Sequence, residues 1–129
     1  MSNSVRTLLF TTAAAMALLW QAHRVEADTL YVSNDTQILT LDASGTQNTF
    51  ASGLNEPSGM AFGPNGKLYV ADNGSDSLFE FAANGQQQTL ASGLHSPQGV
   101  AVDQSGNVYV GDYNSSSILK FTPQGQQST

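Results

Sequence analysis

The sequence predicts an all-β fold, namely a β-propeller segment of about three four-stranded blades with a period of about 40 residues. Two observations support this prediction. Ala-Ser-Gly-Leu at 51–54 recurs at 91–94, and the pattern of 57–62 recurs at 97–102, both at an offset of 40 residues. Short apolar runs also alternate with Gly- and Asn-containing turns, and no useful helical period follows Ala27.

Each repeat unit divides into four short strands. In the central unit we expect them at residues 59–62, 67–71, 78–81 and 88–91, separated by turn signals at 63–66, 72–76 and 83–85. The second and third strands recur in the other units, at 107–112 and 117–121 and, more loosely, at 30–34 and 37–41. Four strands per repeat are typical of a propeller blade.

Residues 1–27 have the composition of a secretory signal peptide. Arg6 precedes a mostly apolar run at 7–20, and small residues, Val25 and Ala27, occupy the positions that signal peptidase reads. We therefore expect cleavage near Ala27-Asp28 and export to the periplasm or the extracellular space. A transmembrane anchor is the alternative, but the apolar run is shorter than the roughly 20 residues that span a bilayer.

Charge narrows the class of partner. The whole chain has a net charge of −6, and removal of residues 1–27 leaves two Lys and nine acidic residues, a net charge of −7. Nucleic acid and anionic membrane surfaces both require clustered Lys and Arg, so neither is an expected partner of the mature form. The chain has no Cys, which excludes disulfides and thiolate metal ligands.

Residues 97–112, Pro-Gln-Gly-Val-Ala-Val-Asp-Gln-Ser-Gly-Asn-Val-Tyr-Val-Gly-Asp, resemble the NHL repeat, as does the strand at 117–121 that ends in Phe. The resemblance covers 28–129, with repeats at about 28–54, 57–94 and 97–129, the last incomplete. It implies part of a six-bladed ring, distantly similar to gluconolactonase-type propellers. Ser77 and Ser117 replace the Arg that is common in the third strand of the family, which lowers any expectation of RNA binding.

The number of blades is smaller than closed propellers require. The first unit lacks its first strand and the last unit lacks its fourth, whereas closed rings have 4 to 8 blades. We favour the interpretation that the sequence is part of a longer propeller. The alternative is self-association of a short chain, in which two copies supply about six blades.

The candidate site residues lie in the loops that open on the usual ligand face of a propeller. They are Asn34, Asn55, Glu56, Asp72, Asp76, His95 and Asp112. Asp72 and Asp112 are candidate Ca²⁺ ligands through their hard oxygen atoms. The alternative is that each caps the turn that follows its strand, and recurrence at the same position in successive repeats favours capping.

No catalytic constellation accompanies these residues. His95 is the only His after residue 27, and the sequence places no recognisable nucleophile beside it. We therefore expect a secreted, non-enzymatic scaffold without a cofactor, which binds a protein or a glycan. The alternative is part of a metal-dependent, lactonase-like hydrolase, which needs non-repeated acidic residues at the propeller axis.

Overall fold

The computed structural model describes residues 29–129, and the predicted signal peptide and its cleavage site lie outside them. The described strands are β1 Leu30–Ser33, β2 Gln37–Leu41, β3 Gln47–Ser52, β4 Pro57–Phe62, β5 Leu68–Asp72, β6 Ser77–Phe81, β7 Gln87–Ser92, β8 Pro97–Val102, β9 Val108–Asp112, β10 Ser117–Phe121 and β11 Gln127–Ser128. A single 3₁₀ turn, Asn73–Ser75, lies between β5 and β6. Within the described part of the chain, no helix is long and apolar enough to cross a membrane.

The strands form three antiparallel sheets in which every strand pairs with its sequence neighbour. Blade 1 contains β1 to β3, blade 2 contains β4 to β7, and blade 3 contains β8 to β11. This architecture confirms the predicted all-β propeller segment. Blade 1 lacks an innermost strand among the described residues, because β1 corresponds in the repeat to the second strands, β5 and β9.

The strand limits differ from the expected ones mainly at the ends. The first strand of blade 2 begins at Pro57 because an irregularity in register between Pro57 and Met60 lets the proline pair with Asp72. Blade 3 has the start of its fourth strand, since Phe121 pairs with Gln127. The expectation that this strand is missing is therefore corrected to a strand of two residues.

Two apolar clusters between the blades form the core. The cluster between blades 1 and 2 contains Ile38, Ala51, Leu54, Leu68, Val70 and Phe81. The cluster between blades 2 and 3 contains Tyr69, Leu78, Leu94, Val108, Val110, Leu119 and Phe121. Each large side chain buried in this way contributes roughly 1.5 to 3 kcal/mol, so the interfaces between blades supply much of the stability.

The innermost strands of blades 2 and 3 lie unusually close together. A Cβ atom built on Gly59 would be 2.1 Å from the carbonyl oxygen of Gln98 and 2.8 Å from the nitrogen of Val100. Beside it, the Ser58 hydroxyl lies 3.1 Å from the carbonyl oxygens of both Pro97 and Gln98. Gly59 is thus required because no side chain fits between the two backbones.

Candidate functional site

Five loops at one edge of the blades form a continuous hydrogen-bonded surface, which we call the loop band. It consists of residues 34–36, 53–56, 73–76, 93–96 and 113–116. The loop that leads into each blade is bonded both to the preceding blade and to its own blade. For example, the Glu56 amide donates to the Asp35 carbonyl at 2.9 Å, and the Asn73 amide donates to the Glu56 carbonyl at 3.2 Å.

The structure places all seven candidate residues in this band or at its border. Asn34, Asn55, Glu56, Asp76 and His95 lie in the loops, and Asp72 and Asp112 end the second strands of blades 2 and 3. Within residues 29–129, no three His, Asp or Glu side chains are grouped closely enough to hold a metal ion together. The candidates therefore share one edge of the molecule without converging on one point.

Asp72 fixes the loop that leads into blade 2. Its carboxylate is almost fully buried, and both of its oxygens accept a hydrogen bond from the Asn55 amide, at 2.9 and 3.1 Å. Burial raises the pKa of Asp72 above its usual value, while the bond from the Asn55 amide acts in the opposite direction. The carboxylate therefore acts on a loop 17 residues earlier in the sequence. A hydrogen bond with the Ser75 side chain, in the turn that follows β5, also lowers the pKa of Asp72.

Asp112 makes the same contact in blade 3. It is also buried, and its Oδ1 accepts a hydrogen bond of 2.7 Å from the His95 amide. In addition, its Oδ2 lies 3.5 Å from Nδ1 of the His95 imidazole, whose side chain is 68% exposed. Asp112 thus holds the backbone of His95, and its second oxygen lies beside the exposed ring. In blade 1, the equivalent Asn34 instead caps its own turn, with Oδ1 accepting from the Thr36 and Gln37 amides.

Asp76 connects the loops of neighbouring blades. Its Oδ1 accepts a hydrogen bond of 3.0 Å from the Ser96 amide, and the Ser96 hydroxyl donates to Oδ1 of Asn73 at 3.1 Å. Glu56 and Ser96, each placed directly before a proline, have left-handed backbones with φ of 54° and 62°. Such conformations persist where surrounding bonds hold them, so the band is a fixed surface rather than a set of loose loops.

Tyr113 is a functional candidate that the sequence analysis missed. Its side chain is 68% exposed, while its amide donates to the Ser96 carbonyl at 3.2 Å and the next amide, of Asn114, donates to the His95 carbonyl at 2.9 Å. The repeat contained a signal for it, because the equivalent residue of blade 2 is Asn73. A single aromatic residue in a loop that is otherwise polar has no repeat-wide structural role.

The band contains buried groups that are already hydrogen-bonded and exposed groups that face solvent. Within residues 29–129, the His95 imidazole makes no hydrogen bond to a Ser, Thr or Tyr hydroxyl, and its near neighbour is the Asp112 carboxylate. The buried carboxylates are occupied by backbone amides. What the band offers to solvent is an aromatic ring, an imidazole, and amide and hydroxyl groups.

Comparison with known proteins agrees with the geometry. The profile of the NHL repeat matches residues 54–81 and 94–121. No curated protein sequence matches the chain.

Solved structures with the same fold include a virginiamycin B lyase from Staphylococcus aureus, which is 12% identical over 80% of this chain and 37% of its own, with a TM-score of 0.68. A gluconolactonase from Xanthomonas campestris is 21% identical over 83% of this chain and 43% of its own, with a TM-score of 0.68. A regucalcin from Agrobacterium tumefaciens, described as a calcium-binding protein, is 15% identical over 72% of this chain and 35% of its own, with a TM-score of 0.63.

The chain thus spans less than half the length of each of these three structures. At these identities the likeness concerns the fold alone. The matched segments contain the first three strands of blades 2 and 3, and with them Leu78 and Phe121 of the core cluster between these blades. The chain therefore carries two segments that match the NHL repeat, and its described residues fold as blades of a β-propeller.

Proposed function

We propose that this chain is part of an exported, non-enzymatic β-propeller scaffold that binds its partner on the loop band. The observation that carries the proposal is the use of Asp72 and Asp112, whose buried carboxylates accept the amides of Asn55 and His95. Because these acids hold the loops in place, the band is pre-organised, which lowers the entropy cost of binding. Export rests on the expected cleavage near Ala27-Asp28.

The exposed groups of the band indicate the class of partner. Tyr113 and His95 present ring surfaces in the same loops as the exposed side chain of Asn114, a combination that suits stacking with hydrogen bonding to a sugar or to a peptide. The negative charge of the mature chain disfavours nucleic acid. We therefore propose a glycan or a protein as the partner.

We expect Tyr113→Ala to weaken partner binding about 10-fold, because it removes an exposed aromatic contact and leaves the loop backbone intact. The measurement is a titration of ¹⁵N-labelled chain with soluble oligosaccharides and with peptides selected for binding to the chain. The proposal predicts amide shifts confined to the loop band. Gln104→Ala, in the turn at the opposite edge, is the control and should bind like the wild type. Shifts centred outside the band would contradict the proposal.

A hydrolase or lyase is the second candidate, because the gluconolactonase and virginiamycin B lyase propellers are enzymes. For a metal-dependent reaction at this edge, Asp72 and Asp112 would have to exchange their amide partners for an ion such as Ca²⁺. An assay with glucono-1,5-lactone and Ca²⁺ separates the two candidates. Ring opening faster than the spontaneous rate, and lost in His95→Ala, would favour the enzyme over the scaffold.

A further inference from the structure

The turn between β6 and β7 contains Asn84 followed by Gly85. An asparagine in this setting loses ammonia readily, because glycine has no side chain to obstruct attack by its own backbone nitrogen. Blade 2 contains two more Asn-Gly pairs, at 65–66 and 73–74, and it packs on a described blade on each side. The contacts of the three asparagines differ, and these contacts rank their reactivities.

The Asn84 side chain is folded back over the peptide that follows it. It is exposed, and its Oδ1 accepts a hydrogen bond of 3.0 Å from the Gln86 amide. The ring of atoms closed by this bond includes the Gly85 nitrogen, so the carboxamide carbon stays close to the atom that would attack it. Within residues 29–129, the Asn84 Nδ2 makes no hydrogen bond, and nothing in this part of the chain holds the group that would leave.

Asn65 has the same turn geometry but a second restraint. It is also exposed, and its Oδ1 accepts from the Lys67 amide at 3.0 Å. Its Nδ2, however, donates to the Tyr69 hydroxyl at 3.1 Å. In both turns the glycine amide donates to the carbonyl three residues earlier, at 3.0 and 2.9 Å, so that bond does not distinguish the two sites. The difference between them is the bond that holds the leaving nitrogen of Asn65.

Asn73 is the most restrained of the three. It is half-buried, and its Oδ1 accepts from the Ser96 hydroxyl in a neighbouring loop. The following amide, of Gly74, donates to the Asn55 carbonyl at 2.8 Å. Both reacting groups are therefore bonded to other loops of the band.

We propose that Asn84 is a site of spontaneous deamidation in the folded chain and reacts before Asn65 and Asn73. The Gly85 nitrogen loses its proton to hydroxide and bonds to Cγ of Asn84. The Cγ–Nδ2 bond breaks, and Nδ2 takes a proton from water and leaves as ammonia. Water then opens the succinimide ring at either carbonyl, which gives aspartate or isoaspartate.

The products differ from the original turn in charge and in main-chain length. A carboxylate replaces the neutral carboxamide, and isoaspartate adds a carbon atom to the main chain in the turn that sets the pairing of Phe81 with Gln87. This turn lies at the edge opposite the loop band, since it joins the third and fourth strands of blade 2. The modification is therefore independent of the proposed partner surface.

The repeat supplies a matched control variant. Gly85 is required, because its φ is 82° and a Cβ there would be 2.8 Å from the Phe50 carbonyl oxygen. The preceding position varies, since Ser44 and Gln124 stand before the equivalent glycines, whose φ values are 80° and 79°. Asn84→Ser therefore fits the turn and removes the reactive carboxamide.

The experiment is to incubate the purified full chain at mildly alkaline pH and to quantify aspartate and isoaspartate at each asparagine by tandem mass spectrometry. We expect product at Asn84 about 10-fold faster than at Asn65, the factor that corresponds to one hydrogen bond. Asn84→Ser should lose this product and keep the slower reaction at Asn65. Absence of product at Asn84, or equal rates at Asn84 and Asn65, would overturn the proposal.

Tyr69→Phe tests whether the restraint on Asn65 sets the order. This variant removes only the hydroxyl that holds the Asn65 Nδ2, so the rate at Asn65 should rise toward that at Asn84, which should not change. In concentrated urea the contacts are lost, and the rates at the three sites should converge. An unchanged rate at Asn65 in Tyr69→Phe, or the same order of rates in urea, would assign the order to local sequence and overturn the proposal.

Discussion

Gly59→Ala is expected to destabilise the chain by about 3 kcal/mol, because the new Cβ meets backbone atoms of the neighbouring blade. Its position would be 2.1 Å from the Gln98 carbonyl oxygen and 2.8 Å from the Val100 nitrogen. Neither is the end of a flexible side chain, so relief requires the innermost strands to move apart. That movement also separates the Ser58 hydroxyl from the carbonyls of blade 3.

Gly99→Ala is the matched control, since Gly99 has the same place in the repeat. A Cβ there has no neighbour within 4 Å, and its cost should stay below about 1 kcal/mol. Urea unfolding followed by circular dichroism measures both free energies. Equal effects of the two substitutions would contradict the described packing of β4 on β8.

Asp72→Ala is expected to cost about 2 kcal/mol, because it leaves the Asn55 amide without its acceptor and frees the loop that leads into blade 2. Asp35→Ala removes an exposed aspartate of the same loop band and should change the free energy of unfolding by less than about 0.5 kcal/mol. Thermal and urea unfolding of both variants gives the comparison. An Asp72→Ala variant as stable as Asp35→Ala would show that the carboxylate does not hold the loop.

The raised pKa of Asp72 makes the free energy of unfolding depend on pH, and the direction of the pKa shift sets the sign of that dependence. Burial raises this pKa in the folded state, so the folded chain binds more protons than the unfolded chain between the ordinary value of 3.8 and the raised value. The stability contributed by protonation is therefore present in acid and is lost as pH rises through the raised pKa. We therefore expect the free energy of unfolding of the wild type to fall, relative to that of Asp72→Asn, as pH rises through this window.

Two other aspartates have lowered pKa values, so their effect on the pH dependence of stability is opposite to that of Asp72. Hydrogen bonds from Ser44 and Asn107 lower the pKa values of Asp42 and Asp103, so their contributions to stability fall as pH decreases. Both residues are present in the wild type and in Asp72→Asn, and their effects cancel in the difference between the two proteins. A difference that grows with rising pH would contradict the assignment to Asp72.

The fold was predictable because each blade repeats the same pattern of strands, turns and buried apolar residues. The turn residues and the recurrence at an offset of 40 residues located the blades, and large apolar residues of the strands, such as Phe81, lie between them. The exact strand ends were less predictable. The register irregularity after Pro57 and the short pairing of Gln127 depend on neighbouring strands rather than on local sequence.

The candidate site was predictable in part. Recurrence of Asp72 and Asp112 favoured a capping role, but sequence alone could not show that each also holds a loop 17 residues earlier. The contact between Asp112 and the His95 ring also joins residues distant in sequence. Tyr113 was missed because the prediction relied on positions that recur between repeats, and the aromatic side chain of Tyr113 does not recur.

The most direct test of the scaffold proposal is a Ca²⁺ titration of the ¹⁵N-labelled chain, observed at the amides of Asn55 and His95. These amides donate to the carboxylates of Asp72 and Asp112, so they report whether either acid exchanges its loop for a cation. The proposal predicts that both resonances remain in place at millimolar Ca²⁺. Saturable shifts of both amides, lost in Asp72→Asn or Asp112→Asn, would contradict it and assign the acids to a metal site.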